Sequence, residues 1–148
     1  MESIQIHVEA DINAPIEKVF KFATNPNNIP LVLPGLIENT NIPELPIKAG
    51  DKFNLKYQML GVIVEGICTI DKIESPNIYD FSTSSGVTSH WKERLSSNNG
   101  GTHFSLDVEY EPPRSWIEKM KLNVIKKMNI KDAEHFLHNI NAVLELQS

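Results

Sequence analysis

Hydrophobic and polar residues alternate with a period of two along much of this chain. Ile4, Ile6, Val8, Ala10 and Ile12 are interleaved with Gln5, His7, Glu9 and Asp11. Phe53, Leu55, Tyr57 and Met59 alternate with Asn54, Lys56 and Gln58, and Thr102, Phe104, Leu106, Val108 and Tyr110 with His103, Ser105, Asp107 and Glu109. Successive strand side chains point to opposite faces, so each stretch predicts a strand with one buried face. Residues 62–73 are β-branched and almost continuously apolar, and shorter strand-like runs cover 36–42, 78–83 and 88–96. Gly61, Ser75-Pro76-Asn77, Gly86 and Asn98-Asn99-Gly100-Gly101 separate these runs. The last group supplies consecutive residues that tolerate positive φ, a hairpin signal. Such short connections favour an antiparallel meander.

Elsewhere the period lengthens to that of a helix. Ile16, Val19, Phe20 and Ala23 give a short helix a buried face, with Asn13 as its expected cap, Pro15 early and Glu17 in the first turn. Residues 29–33 suggest one more helical turn, stopped by Pro34-Gly35. After Pro112-Pro113, residues 114–146 contain neither proline nor glycine. Ile117, Met120, Val124, Met128, Phe136, Ile140, Val143 and Leu144 recur there at steps that predict one uninterrupted helix. At about 1.5 Å per residue it is a rod of roughly 45–50 Å. Its apolar stripe needs a partner, and the partner on offer is a sheet curved around it. A sheet gripping a long helix leaves space between the two.

The length of 148 residues predicts a single domain, 1–148, and 41% hydrophobic with 22% charged residues is ordinary for a folded chain. The start Met1-Glu2-Ser3-Ile4-Gln5 shows no secretory signal, and no apolar run has the length of a membrane span. The single cysteine, Cys68, has no partner for an internal disulfide and reads as a small core residue in a cytoplasmic protein. A formal charge of −5 argues against nucleic-acid binding. The charge is uneven, however: Arg114, Lys119, Lys121, Lys126, Lys127 and Lys131 face one acid, Glu118, across residues 114–131. This segment is either a solvated helix face or a basic rim that attracts an acidic headgroup or an anionic membrane.

Several stretches together resemble one superfamily. The run Ala10-Asp11-Ile12-Asn13-Ala14-Pro15-Ile16-Glu17-Lys18-Val19-Phe20 is similar to a strand, a small residue and a proline, then a helix with a buried pair. Pro26 with residues 29–36 resembles a second helix and its exit. Gly50-Asp51-Lys52-Phe53 looks like a strand opening, and Asn99-Gly100-Gly101-Thr102-His103-Phe104 like the entry to a last strand. This order resembles the START/Bet v 1-like (SRPBCC) superfamily, in particular its polyketide cyclase/dehydrase and coenzyme Q-binding branch. The resemblance implies an α+β helix-grip fold: a curved antiparallel sheet of about seven strands, two short helices after the first strand, and a long C-terminal helix. The glycine-rich loop of the plant allergen members is absent, since Ser84-Ser85-Gly86 holds one glycine, and no residue set matches a cyclase active site.

What the resemblance implies is a cavity between sheet and helix for a hydrophobic or amphipathic small molecule, such as a lipid, quinone or polyketide-like compound. Tyr57, Met59, Phe81, Trp91, Phe104, Leu106, Trp116, Met120, Val124 and Met128 are the expected wall, being aromatic or adaptable apolar residues at inward positions. If Trp91 and Leu95 point inward, so does Glu93, and a buried carboxylate is costly unless it is paired. Glu93 therefore reads as a catalytic acid or base with Tyr57, as a ligand anchor, as a group paired with Lys92, Arg94 or a base on another strand, or as one that a bulge turns out to solvent. Asp132, one turn past Met128 near the apolar stripe, invites a similar reading, but a local bend or an exposed position is expected there. The five histidines show no metal-ligand spacing, and no cofactor fingerprint or nucleophile elbow is present. Three functions stay open: a ligand-binding protein, a cyclase/dehydratase-type enzyme using the same cavity, and an interaction module with the cavity closed.

Overall fold

A computed structural model describes residues 3–147, apart from the side chain of Lys119. The Met1-Glu2 start read for a signal, and Ser148, lie outside the described residues. The elements are β1 (Ile4–Ile12), α1 (Ile16–Ala23), a single 3₁₀ turn (Ile29–Leu31), β2 (Leu36–Thr40), β3 (Lys52–Met59), β4 (Val62–Glu74), β5 (Ile78–Ser84), β6 (Ser89–Asn98), β7 (Gly101–Tyr110), α2 (Arg114–Lys119) and α3 (Leu122–Leu146). The seven strands form one antiparallel sheet in the order β1-β7-β6-β5-β4-β3-β2. Strands β3 to β7 are a meander, while β1 and β2 occupy opposite edges. The chain therefore crosses from one edge to the other between them, through α1 and the 3₁₀ turn.

Two hairpins illustrate how local chemistry sets this order. Asn99 and Gly100 have φ of 50° and 85°, and Leu60 and Gly61 have 53° and 78°. Two consecutive positive-φ residues match the right-handed twist of the flanking strands, which keeps Met59 opposite Val62 and Asn98 opposite Gly101. Leucine rarely adopts that conformation, so the β3–β4 turn is set by its strands and by Gly61 rather than by residue 60. The alternation read from sequence sets the sheet faces. Ile4, Ile6, Val8, Ile12, Phe104, Leu106, Val108 and Tyr110 are all buried. On β4 the alternation holds for Gly66, Cys68 and Ile70 and then breaks, because a bulge between Ile70 and Lys72 inserts one residue.

The C-terminal helix departs from its expected form. It is divided at Met120 and Lys121, whose ψ angles of 148° and 146° are extended. No proline or glycine causes this. Trp116 and Ile125 are nine residues apart, about two and a half helical turns, so a continuous helix sets them on opposite sides. Both are buried, at 3% and 1% exposure. The interruption rotates the second segment so that both side chains face the core. A second departure concerns Asn13, which makes no cap on α1; Pro15 occupies the cap position. The Asn13 backbone N–H instead donates to Asn141 Oδ1 (2.8 Å), and its amide donates to Glu145 Oε1 (3.0 Å). These bonds tie the end of β1 to the last turns of α3, which packs along β1. No described helix is long and apolar enough to cross a membrane.

Candidate ligand cavity

Where α3 leaves the sheet, a cavity of about 210 Å³ opens. A water molecule needs roughly 10–15 Å³ in the same measure, so this is no packing defect. The floor comes from the inner faces of β3 to β6, with Phe53, Leu55, Tyr57 and Met59 on β3, Cys68 on β4, Tyr79 and Phe81 on β5, and Trp91 and Glu93 on β6. Val108 and Tyr110 close one side. The roof is Trp116 of α2 with Asn129, Asp132, Ala133 and Phe136 of α3, and the segment between α1 and β2 contributes Pro26, Ile29 and Leu33. Gly35 also borders the cavity: its φ is +89°, and an added Cβ would sit 2.9 Å from the Gln58 carbonyl oxygen. The chain can turn there and pair with β3 only as glycine.

The residues expected on the wall fall into three groups. Tyr57, Met59, Phe81, Trp91 and Trp116 line the cavity. Phe104 and Leu106 point inward as expected but are completely buried, packed core rather than wall. Met120 is half-buried against the core beside the helix interruption and does not reach the cavity. Val124 and Met128 are a correction, since they are 39% and 41% exposed on the outer side of α3. The inward face runs through Ile125, Asn129, Ala133 and Phe136, one position later. Polar Asn129 interrupts that stripe in the sequence and hid it. Asp132, expected outside, is half-buried on the wall, where burial raises its carboxyl above the ordinary range and His135 partly opposes the shift.

Aromatic rings define the floor. Phe81 and Trp91 face each other across β5 and β6 with centroids 5.3 Å apart and planes 18° apart, a stacked pair. Tyr79 lies 5.2 Å from Phe81, and Phe136 meets Trp91 edge-on at 6.4 Å. Most polar groups of the wall are mutually satisfied. The Trp91 indole N–H donates to Ser89 Oγ (3.1 Å) and Thr83 Oγ1 donates to the Val87 carbonyl (2.7 Å). Because the Thr83 hydrogen is thus committed, the Ser89 hydroxyl is the donor in their 2.5 Å contact. Tyr110 donates its hydroxyl to the Asn129 carbonyl oxygen.

Among the described residues, Glu93 Oε1 is buried without a hydrogen-bond partner, and the buried Tyr57 Oη has only the Val87 backbone near it. Glu93 is 2% exposed. Neither base considered for it reaches its carboxyl. Lys92 lies on the outer face, and the Arg94 guanidinium grips both oxygens of Asp80 (2.5 and 3.2 Å) and donates to the Glu93 backbone carbonyl (3.0 Å). Burial, with the Asp80 carboxylate adding to it, raises the Glu93 carboxyl well above the ordinary range. Burial likewise pushes the Tyr57 phenol up to about 12, with the Val87 backbone opposing weakly, and the Cys68 thiol up to about 12. Burial thus favours the neutral form of all three groups. Glu93 and Tyr57 share the cavity but not one spot. Glu93 pairs through Tyr79 with Ile73, whereas Tyr57 pairs with Val64, at the far end of the same strand β4. They do not form a catalytic dyad.

A seven-stranded antiparallel sheet wrapped on a long C-terminal helix, with a cavity between them, is a helix-grip protein of the START/Bet v 1-like class. The profile of the polyketide cyclase/dehydrase and lipid transport family matches residues 3–145, and the chain belongs to that family. Among solved structures, a START superfamily protein from Mycobacterium smegmatis superposes with a TM-score of 0.80 at 11% identity, covering 98% of this chain and 99% of that one. TTHA0849 from Thermus thermophilus gives 0.78 at 17% identity, covering 97% and 99%. Ara h 8.0201 gives 0.68 at 18% identity, also covering 97% and 99%. At these identities the likeness is one of fold. No curated protein matches the sequence.

Proposed function

We propose that this protein binds a hydrophobic or amphipathic small molecule in the cavity between β3–β6 and the helices. The observation that carries the reading is a wall of apolar and aromatic side chains interrupted by a buried carboxyl oxygen, Glu93 Oε1, that has no partner among the described residues. Burying about 300 Å² of apolar ligand surface at roughly 25 cal/mol/Å² supplies several kcal/mol before association costs, enough for reversible binding without covalent chemistry. Membership of a family described by polyketide cyclases, dehydrases and lipid transport supports the same reading. Native mass spectrometry of gently purified protein, followed by solvent extraction, tests it. A stoichiometric apolar adduct is expected; a bare chain that also takes up no apolar probe contradicts it.

Glu93 supports a second reading, a cyclase/dehydratase-type enzyme in the same cavity, because a neutral buried carboxyl is able to act as a general acid. Glu93→Gln separates the two: turnover is lost under the enzyme reading, and binding survives under the first. The displaced residues Val124 and Met128 support a further contact. Val124, Met128 and Lys131 follow steps of four and three along the exposed side of α3, with Lys121 just before the helix, an apolar and basic stripe suited to an anionic membrane surface.

A further inference from the structure

The wall of the cavity is selective in charge. Among the described residues it holds no lysine, arginine or histidine and two carboxyl groups, Glu93 and Asp132. Arg94, the next residue along β6, is held on the other face of the sheet by Asp80. An acidic headgroup carried into this space would lose its water and meet no counter-ion among the described residues, which is costly in a low-dielectric site. The basic segment 114–131 does not change this, because its described cationic side chains are on the exposed surface.

We propose, building on the binding reading above, that Glu93 is the specificity-determining anchor of the cavity, donating its carboxyl O–H to the uncharged carbonyl of a flat, aromatic ketone. Three observations converge on it. The carboxyl is 2% exposed, lies on the cavity wall and has an unpartnered oxygen. Its cross-strand neighbour Tyr79 leads into the Phe81–Trp91 stack, a surface for a planar ring system. The neighbouring Trp91–Ser89–Thr83–Val87 bonds are already complete, so the donor left for a ligand on β6 is Glu93. A neutral acid gives a carbonyl a hydrogen bond without separating charge. A carboxylate ligand has to leave water for a site with no cation among the described residues, and the acid has to ionise in an apolar site before it can pair with an ammonium group.

The test uses four probes with one apolar body: acetylnaphthalene, ethylnaphthalene, naphthoate and naphthylethylamine, titrated calorimetrically into the full chain at pH 7. The ketone is expected to bind about tenfold tighter than the hydrocarbon, the yield of one buried hydrogen bond, with naphthoate weaker than the hydrocarbon. Glu93→Met is expected to bring the ketone down to the hydrocarbon. Glu93→Gln, whose amide still donates, is expected to keep most of the preference and shows that loss in the methionine variant is not a folding defect. Tightest binding of naphthoate or of the amine, or a ketone preference that survives Glu93→Met, overturns the proposal. If the hydrocarbon binds with no ketone preference, the anchor role fails while the cavity remains a binding site. If none of the four binds, both readings fail.

Discussion

The two halves of the sheet are built from the same alternation and end up doing opposite things. On β1 and the first half of β7, inward residues meet the C-terminal half of α3 directly. Phe104, Leu106, Ile140 and Leu144 are each exposed by 2% or less, and Asn13 binds the helix end to the strand. On β3 to β6 the helix has moved away. There Leu55, Tyr57, Met59, Phe81 and Trp91 remain half-buried along the cavity, between the buried Phe53, Cys68, Tyr79 and Glu93. The difference lies in distance from the helix rather than in hydrophobicity. A strand can contribute apolar side chains to either half, and what separates core from wall is whether a helix sits on top of them.

This contrast gives a ranked set of expectations. The largest effect is in the sealed half: Phe104→Ala should cost about 3–5 kcal/mol in urea denaturation, because the space it leaves is surrounded by packed neighbours. Met59→Ala, on the cavity wall, should cost about 1–2 kcal/mol and alter probe binding instead. Equal costs for the two would erase the distinction between core and wall. Next, Glu93→Met should raise stability by about 1–2 kcal/mol, since it replaces a buried carboxyl that has an unpartnered oxygen with an apolar chain of similar length. A lower melting temperature for that variant would mean that Glu93 serves the fold.

Smaller effects are expected outside. Val124→Ser with Met128→Ser should change stability by less than about 0.5 kcal/mol and leave probe affinity intact, while lowering flotation with vesicles rich in phosphatidylserine. Unchanged flotation would remove the membrane contact. The smallest effect belongs to the outer face of the sealed half. His7 hydrogen-bonds Glu9 (2.6 Å) and Asp107 (2.7 Å), and His103 bonds Asp11 (2.9 Å). These partners raise both histidines above 6.5, and the histidines lower Glu9 and Asp11 in return. The histidine contribution to stability is full below pH 6.5 and fades as pH rises through the raised values. The carboxylate contribution is present above about 4.5 and fades as pH falls through the lowered ones. Melting temperature from pH 6 to 8 should therefore decline less in His7→Gln with His103→Gln than in the parent protein. An identical decline would show that the ladder adds nothing.

Much of this architecture is legible in the sequence because strand alternation is a local property. The same alternation that marks Trp91 and Leu95 as inward also places Glu93 inside, and the structure agrees. The helix interruption is not local. Nothing between Pro113 and Leu146 breaks a helix by residue type; the break follows from the need to bury Trp116 and Ile125 together. That same rotation moved the inward stripe off Val124 and Met128 and onto a row containing Asn129, which no hydrophobicity pattern marks. Pro26, Ile29 and Leu33 were equally hidden, because their place on the wall depends on how the chain crosses from β1 to β2. Phe104 and Leu106 were read correctly as inward, but only the position of α3 decides that they are core.

The central claim is that the open half takes up a ligand and the sealed half does not. A two-dimensional NMR titration with acetylnaphthalene, following assigned backbone and aromatic signals, tests it most directly. Saturable shifts at Tyr57, Phe81, Trp91 and Glu93, with Val8, Phe104 and Leu144 unmoved, are the predicted result. Saturation without shifts on β3 to β6, or no saturable shift at all, would contradict the account.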